Sequence, residues 1–117
     1  MSDLRGLTVR WTLVDAPEGV AEALASYVAD TSYDRFSAMP ELGFKTWRMR
    51  AGEWFEGCYV FATEAERATF QETFTVGAAE SPGSQIIGSS PILIEPCTVV
   101  AVAEGAEGFQ AAASYAG

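Results

Sequence analysis

The segment PELGFKTWRMRAGEWFEGCYVF, residues Pro40 to Phe61, constrains the fold more than any other part of this chain. Two β-prone runs, Phe44 to Arg50 and Phe55 to Phe61, flank Gly52-Glu53, a Gly-first pair suited to a two-residue hairpin. With that turn Trp47 faces Cys58 and Met49 faces Glu56. Lys45, Trp47, Met49, Glu56, Cys58 and Val60 then share one face, with Phe44, Thr46, Arg48, Arg50, Phe55, Gly57, Tyr59 and Phe61 on the other. A slip of one residue at the turn would exchange the faces of one strand. The segment also holds the only lysine, two of the three tryptophans and two of the six arginines. Such crowding is expected of a hairpin that is both the middle of a sheet and the wall of a pocket.

The flanking sequence supplies the other elements. Leu7 to Val14 alternates with the period of a strand. Asp15, Pro17 and Glu18 carry the signature of a helix start, followed by an apolar stripe of Val20, Ala23, Leu24, Tyr27 and Val28. Thr31 to Met39, polar but with Tyr33 and Phe36, reads as a loop with room for a helical turn that ends at Pro40, before which helix is disfavoured. Thr63 and Glu66 form a second capping box, opening a helix that carries Phe70 and Phe74 one turn apart and ends near Phe74. Glu80 to Pro91 is rich in Ser, Gly and Pro and reads as a loop able to act as a lid, with Ile86 and Ile87 tucked under something apolar. The last strand is expected over Thr98 to Ala103, preceded by an extended Ile92 to Glu95. From Glu104 the chain turns Gly- and Ala-rich, which predicts a folded domain over 1–104 and a flexible tail over 105–117.

The order β-α-β-β-α-β predicts an α+β, ferredoxin-like antiparallel sheet with two helices on one face. A single domain suffices for 117 residues. The other sheet face is then bare, while the strands carry apolar residues on both faces and 49% of the chain is hydrophobic. A homodimer whose sheets close on each other, a dimeric α/β barrel, is the expected outlet.

Charge and absences narrow the function classes. The net charge of −9 repels phosphate backbones and anionic headgroups, so neither nucleic acid nor a membrane surface is an expected partner. No apolar run approaches the roughly 18 residues of a membrane span. Residues 1–6 lead into no apolar signal core, and two cysteines make no disulfide framework, which points to a cytoplasmic protein with reduced thiols. Cys58 and Cys97 read as small buried hydrophobes. The chain has no histidine, which removes the usual haem and zinc ligand, the Ser-His-Asp triad and the most convenient neutral-pH base. There is no G-x-G-x-x-G, G-x-x-x-x-G-K or G-x-S-x-G.

Pro40, Leu42, Lys45, Thr46 and Trp47, followed by Gly57, Tyr59, Val60 and Phe61, form the pattern P-x-L-x-x-K-T-W then G-x-Y-x-F, which resembles the YdhR-like monooxygenases of the dimeric α/β-barrel superfamily. The resemblance implies a pocket between sheet and helices in which an aromatic, quinol-like or polyketide-like molecule reacts with O₂. In several relatives the reaction needs no cofactor, so neither cofactor nor metal is expected. Quinone-forming relatives use a pocket asparagine; this chain has none, so its chemistry must be organised differently.

Trp47, Tyr59 and Lys45 are the candidate catalytic residues. Trp47 can stack on a substrate or donate its indole N-H, Tyr59 can donate a proton, and the Lys45 ammonium can lower the pKa of a phenol. Tyr27, Tyr33, Arg48, Phe61, Phe70 and Phe74 are the candidates to bind substrate. Each also has a structural reading: core or interface packing for the aromatics, pairing of Lys45 with Glu56 across the hairpin, and pairing of Arg48, Arg50 and Arg10 with carboxylates. A cyclase or isomerase of the same fold, and a non-catalytic carrier of a hydrophobic small molecule, are the alternatives.

Overall fold

The computed structural model describes residues 3–115. Strand β1 (Arg5–Thr12) leads to helix α1 (Val20–Tyr27), which runs through a π-helical turn at Val28–Ser32 into α2 (Tyr33–Ser37). The hairpin β2 (Leu42–Arg50) and β3 (Trp54–Phe61) follows, then α3 (Glu64–Val76), a 3₁₀ turn at Ala78–Glu80, α4 (Pro82–Ile87) and β4 (Leu93–Thr98). The sheet order is β2-β3-β1-β4 and every pairing is antiparallel. With the helices packed on one face, this is the ferredoxin-like α+β arrangement.

The alternation in β1 decides which face is covered. Leu7, Val9, Trp11 and Leu13 are buried under the helices together with Phe55, Tyr59, Phe61, Leu24, Val28, Phe36 and Ile87. Burying a side chain such as Leu7 or Phe61 completely contributes about 1.5–3 kcal/mol.

The hairpin register differs by one residue from the expected one. Arg50 pairs with Trp54, so Ala51, Gly52 and Glu53 make a three-residue loop. The Glu53 N-H donates to the Arg50 carbonyl at 2.9 Å, and Gly52 sits at φ 79°, the left-handed conformation required at the third position of a type II turn. The Leu13 N-H, donating to the Glu53 carbonyl at 2.9 Å, anchors the loop to the end of β1. Trp47 therefore pairs with Gly57, Arg48 with Glu56 and Lys45 with Tyr59. Phe55, Gly57 and Tyr59 join Lys45 and Trp47 on the helix side, while Glu56, Cys58 and Val60 join Arg48 on the open side.

Five further expectations are corrected. The first helix does not start with an Asp15–Glu18 capping box, because Gly19 at φ 79° breaks the chain direction just before Val20 and no side chain caps it. The segment 31–39 is largely helical: Leu24, Val28, Ser32 and Phe36 are all buried at four-residue spacing, an inward stripe that Ser32 disguised as polar sequence. The expected lid is helix α4, begun by the Ser81 side chain accepting from the Ser84 N-H and ended by Gly88 at φ 87°. Ile87 is buried and Ile86 packs against the core.

The last strand ends at Thr98 rather than beginning there. Its partner β1 starts at Arg5, which pairs with Thr98, and among the described residues the pairing closes with a last bond from the Val99 N-H to the Leu4 carbonyl. Val100 is 89% exposed in consequence. Cys97 is exposed on this edge, not buried, and Cys58 is half-buried. The Thr63 capping box stands as expected: the Glu66 N-H donates to Thr63 Oγ1 at 3.2 Å, and α3 continues to Val76.

Candidate functional site

A cavity of about 250 Å³ lies between the helix side of the sheet and the helices, lined among others by Trp11, Tyr27, Lys45, Trp47, Tyr59 and Phe74. Its most unusual group is Lys45. Nζ donates to Tyr59 Oη at 3.1 Å and lies 3.5 Å from the centre of the Phe36 ring, 4.3 Å from Tyr59 and 4.4 Å from Trp47. The ammonium makes no ion pair among the described residues; Glu56, its expected partner, is on the opposite face of the sheet.

Burial pushes the Lys45 pKa well below its usual 10.5, and the nearby Arg35 guanidinium pushes it the same way. The surrounding ring faces offset part of the lost hydration, about 0.5–2 kcal/mol by their quadrupoles. No carboxylate among the described residues pairs with the amine to oppose that shift. Tyr59 moves the opposite way: burial raises its phenol well above 10.0, so it remains protonated. The result is an amine with a lowered pKa beside a phenol that keeps its proton.

Gly57 makes this pairing possible. A Cβ there would lie 3.2 Å from both Lys45 Cε and Tyr59 Cε1 and 3.3 Å from Tyr59 Oη. The absence of a side chain at Gly57 leaves room for Lys45 and Tyr59 to converge over the strand without displacement.

Other polar groups in the wall are held by buried serines. Trp47 Nε1 donates to Ser32 Oγ at 3.2 Å, which fixes the indole between Tyr33 and Phe36, with ring centres 6.2 and 6.1 Å away. Trp11 Nε1 donates to Ser84 Oγ at 3.0 Å, and Ser84 Oγ donates in turn to the Ala78 carbonyl at 2.7 Å. Gly83 packs against Trp11, where a Cβ would meet the ring at 3.1 Å. Helix α4 thus supports the cavity floor through one indole.

Of the candidate residues, Trp47, Tyr59, Lys45, Tyr27, Phe70 and Phe74 converge on this cavity. Phe61 does not line it: it is 0% exposed and stacks beneath Tyr59, with ring centres 6.1 Å apart. Tyr33 stands behind Trp47 and lines a second, larger groove of about 1,070 Å³ along β2 and α2, whose far side is formed by Phe109 and residues 111–115. Arg48 is on the open sheet face.

There Arg48 and Arg10 both grip Glu56. Arg48 Nε donates to Oε1 at 2.8 Å with a second, shorter contact from its Nη2, and Arg10 Nε donates to Oε2 at 2.9 Å. Glu56 is 1% exposed, held between the two arginines, with Cys58 Sγ donating to Oε1 at 3.6 Å. Arg10 in turn lies 4.4 Å over the Trp54 ring. Burial alone would raise the Glu56 pKa, but the bonds from Arg10 and Arg48 outweigh it and hold the carboxyl below its usual value.

Sequence reasoning did not single out Ser32, Ser84, Trp11, Arg35 or Gly57 for the site. Gly57 was the one with a detectable signal: a glycine inside a strand marks a close approach. Among the described residues no three His, Cys, Asp or Glu side chains are grouped so as to hold a metal ion, and no helix is long and apolar enough to cross a membrane.

No protein-family model matches the chain, and no curated protein matches it. Among solved structures it is similar to NE2512, a protein of unknown function from Nitrosomonas europaea, with a TM-score of 0.63 and 22% identity over 88% of this chain and 95% of that one. This likeness supports the fold. A looser match, with a TM-score of 0.46 and 13% identity over 87% of this chain and 97% of the other, is to a Chloroflexus aurantiacus protein provisionally named an antibiotic biosynthesis monooxygenase.

Proposed function

We propose that the cavity binds an electron-rich aromatic molecule bearing a phenol, and that the protein is a cofactor-independent monooxygenase using Lys45 as its base. The observation that carries this reading is the Lys45 amine, without a carboxylate partner, walled by Phe36, Trp47 and Tyr59. The resemblance of the Pro40–Phe61 segment to the YdhR-like monooxygenases points the same way.

The neutral amine takes the phenolic proton, and the phenolate that results is a strong enough reductant to react with O₂. A carbon–oxygen bond forms at a ring carbon. Loss of water then carries off the second oxygen with two hydrogens and leaves a quinone. Tyr59 O-H donates to the substrate oxygen while its charge is high, and the aromatic walls keep out bulk water. Lys45 thereby takes the place that histidine or asparagine would fill.

The functional unit in this reading is a homodimer closing over the open sheet faces, where Phe44 and Leu93 remain exposed. Light scattering on the purified protein tests that part. The reaction is tested by O₂ uptake with a hydroquinone. Lys45→Met and Trp47→Ala should abolish it while thermal melts show both variants folded; uptake by the wild type no faster than in buffer would refute the reading. Turnover under anaerobic conditions would instead favour cyclisation or isomerisation.

A further inference from the structure

We propose that Lys45 Nζ is a covalent site for carbonyl compounds, and that a planar aromatic aldehyde or ketone entering the cavity condenses with it to a Schiff base. This inference rests on the same unprotonated amine as the oxygenase reading but uses no oxygen, so adduct formation without O₂ uptake would sink the oxygenase reading alone.

Such a site needs a nucleophilic amine, an acid to carry off the hydroxyl, and flat room beside both. Lys45 reaches the cavity from β2 with its amine held by Tyr59 rather than by a carboxylate. The titratable and charged groups around it are Tyr59 on β3, Arg35 on α2 and Tyr27 on α1, with Cys58 behind the sheet. None of them is a carboxylate that would hold the amine as an ammonium ion. The rings of Trp47, Phe70 and Phe74 line the same cavity of about 250 Å³ and offer aromatic faces to a planar ligand.

The step balances without a co-reactant. The amine lone pair attacks the carbonyl carbon, forming the C–N bond, and one N-H proton passes to the carbonyl oxygen. As the C–O bond breaks, Tyr59 Oη, 3.1 Å from Nζ, passes its proton to the departing hydroxyl and takes up the remaining nitrogen proton in the same step, so that water leaves and no free tyrosinate forms. Nothing is oxidised or reduced.

The chain is suited to the test because Lys45 is its only lysine. The full-length protein is incubated at neutral pH with 2-naphthaldehyde and sodium cyanoborohydride, and adducts are followed by intact mass and peptide mapping. One adduct is expected at Lys45, forming about tenfold or more faster than on the same chain unfolded in denaturant. Tyr59→Phe, which keeps the ring, should slow the adduct by a similar factor with the fold retained by circular dichroism. Labelling of Lys45 no faster in the folded than in the unfolded chain overturns the proposal. So does an adduct confined to the terminal α-amine. Should Tyr59→Phe fail to fold, the comparison of folded and unfolded wild type decides alone.

Discussion

Lys45 and Tyr59 are direct partners across the β2–β3 hairpin, and their side chains meet on the helix side of the sheet with Nζ 3.1 Å from Oη. A side chain at position 57 would crowd both of them. The Gly57 gap is therefore part of the site, and Gly57→Ala tests it.

In Gly57→Ala the new methyl must push Lys45 Cε and Tyr59 Cε1 back by a few tenths of an ångström, since both lie 3.2 Å from its position. The shift spoils the Lys45–Tyr59 bond while the strand itself tolerates alanine. A loss of about 1–3 kcal/mol in stability is expected from overpacking, along with loss of O₂ uptake and of the Lys45 adduct. Urea melts and the two activity assays check it.

The opposite pKa movements of Lys45 and Tyr59 give stability a distinctive pH dependence. Lys45 is lowered on folding, so between that lowered value and 10.5 the unfolded chain binds more protons than the folded one, and stability rises with pH. Tyr59 is raised, so above 10.0 the unfolded chain loses its phenolic proton first and stability falls. Lys45→Met should flatten the rising part below pH 10.0 and leave the alkaline fall in place. Denaturant melts across this range, wild type against variant, show whether the rising limb belongs to Lys45.

Glu56 is the anchor of the open sheet face. Removing its carboxyl in Glu56→Ala leaves Arg48, 59% exposed, free to return to water, but strands Arg10, 35% exposed, beside Trp54. A loss of about 2 kcal/mol is expected, below the range for a fully buried pair because both arginines keep contact with solvent. Since the folded Glu56 pKa is depressed, its contribution is present above the unfolded value near 4.5 and lost as pH falls through the folded one. Glu56→Gln should therefore lack that acid-limb loss, measured by melts at decreasing pH.

Element order, the sheet, the Thr63 cap and the cluster of aromatic residues around Lys45 were legible because each rests on a local pattern: alternation, a capping box, composition. The faces of β3 were not. They depend on whether the hairpin loop holds two residues or three, and Gly52 satisfies a type II turn as readily as a Gly-first one; a single residue moved Tyr59 to Lys45 and Glu56 to Arg48. The helical stripe through Ser32 was hidden for a different reason. Its hydroxyl is buried because Trp47, on a strand distant in sequence, supplies an N-H at 3.2 Å, and such a partner leaves no mark in the local sequence. The end of β4 was likewise set by where its neighbour β1 begins, not by β propensity, since Val99, Val100 and Val102 are as β-prone as any residue that did pair.

The tail beyond Glu104 offers a last test, because it carries little of the core yet borders the larger groove. Phe109 and Tyr115 are exposed, while Ala112 and Ala113 are half-buried against the groove formed by β2 and α2. Ending the chain at 104 removes few buried contacts, so a stability change below about 1 kcal/mol is expected. The same deletion uncovers the side of the groove that Lys45 and Trp47 also line. Access to Nζ should then increase, and the Lys45 adduct should form faster than in the full chain at unchanged melting temperature. A truncated chain that melts many degrees lower would instead make residues 105–117 part of the folded domain.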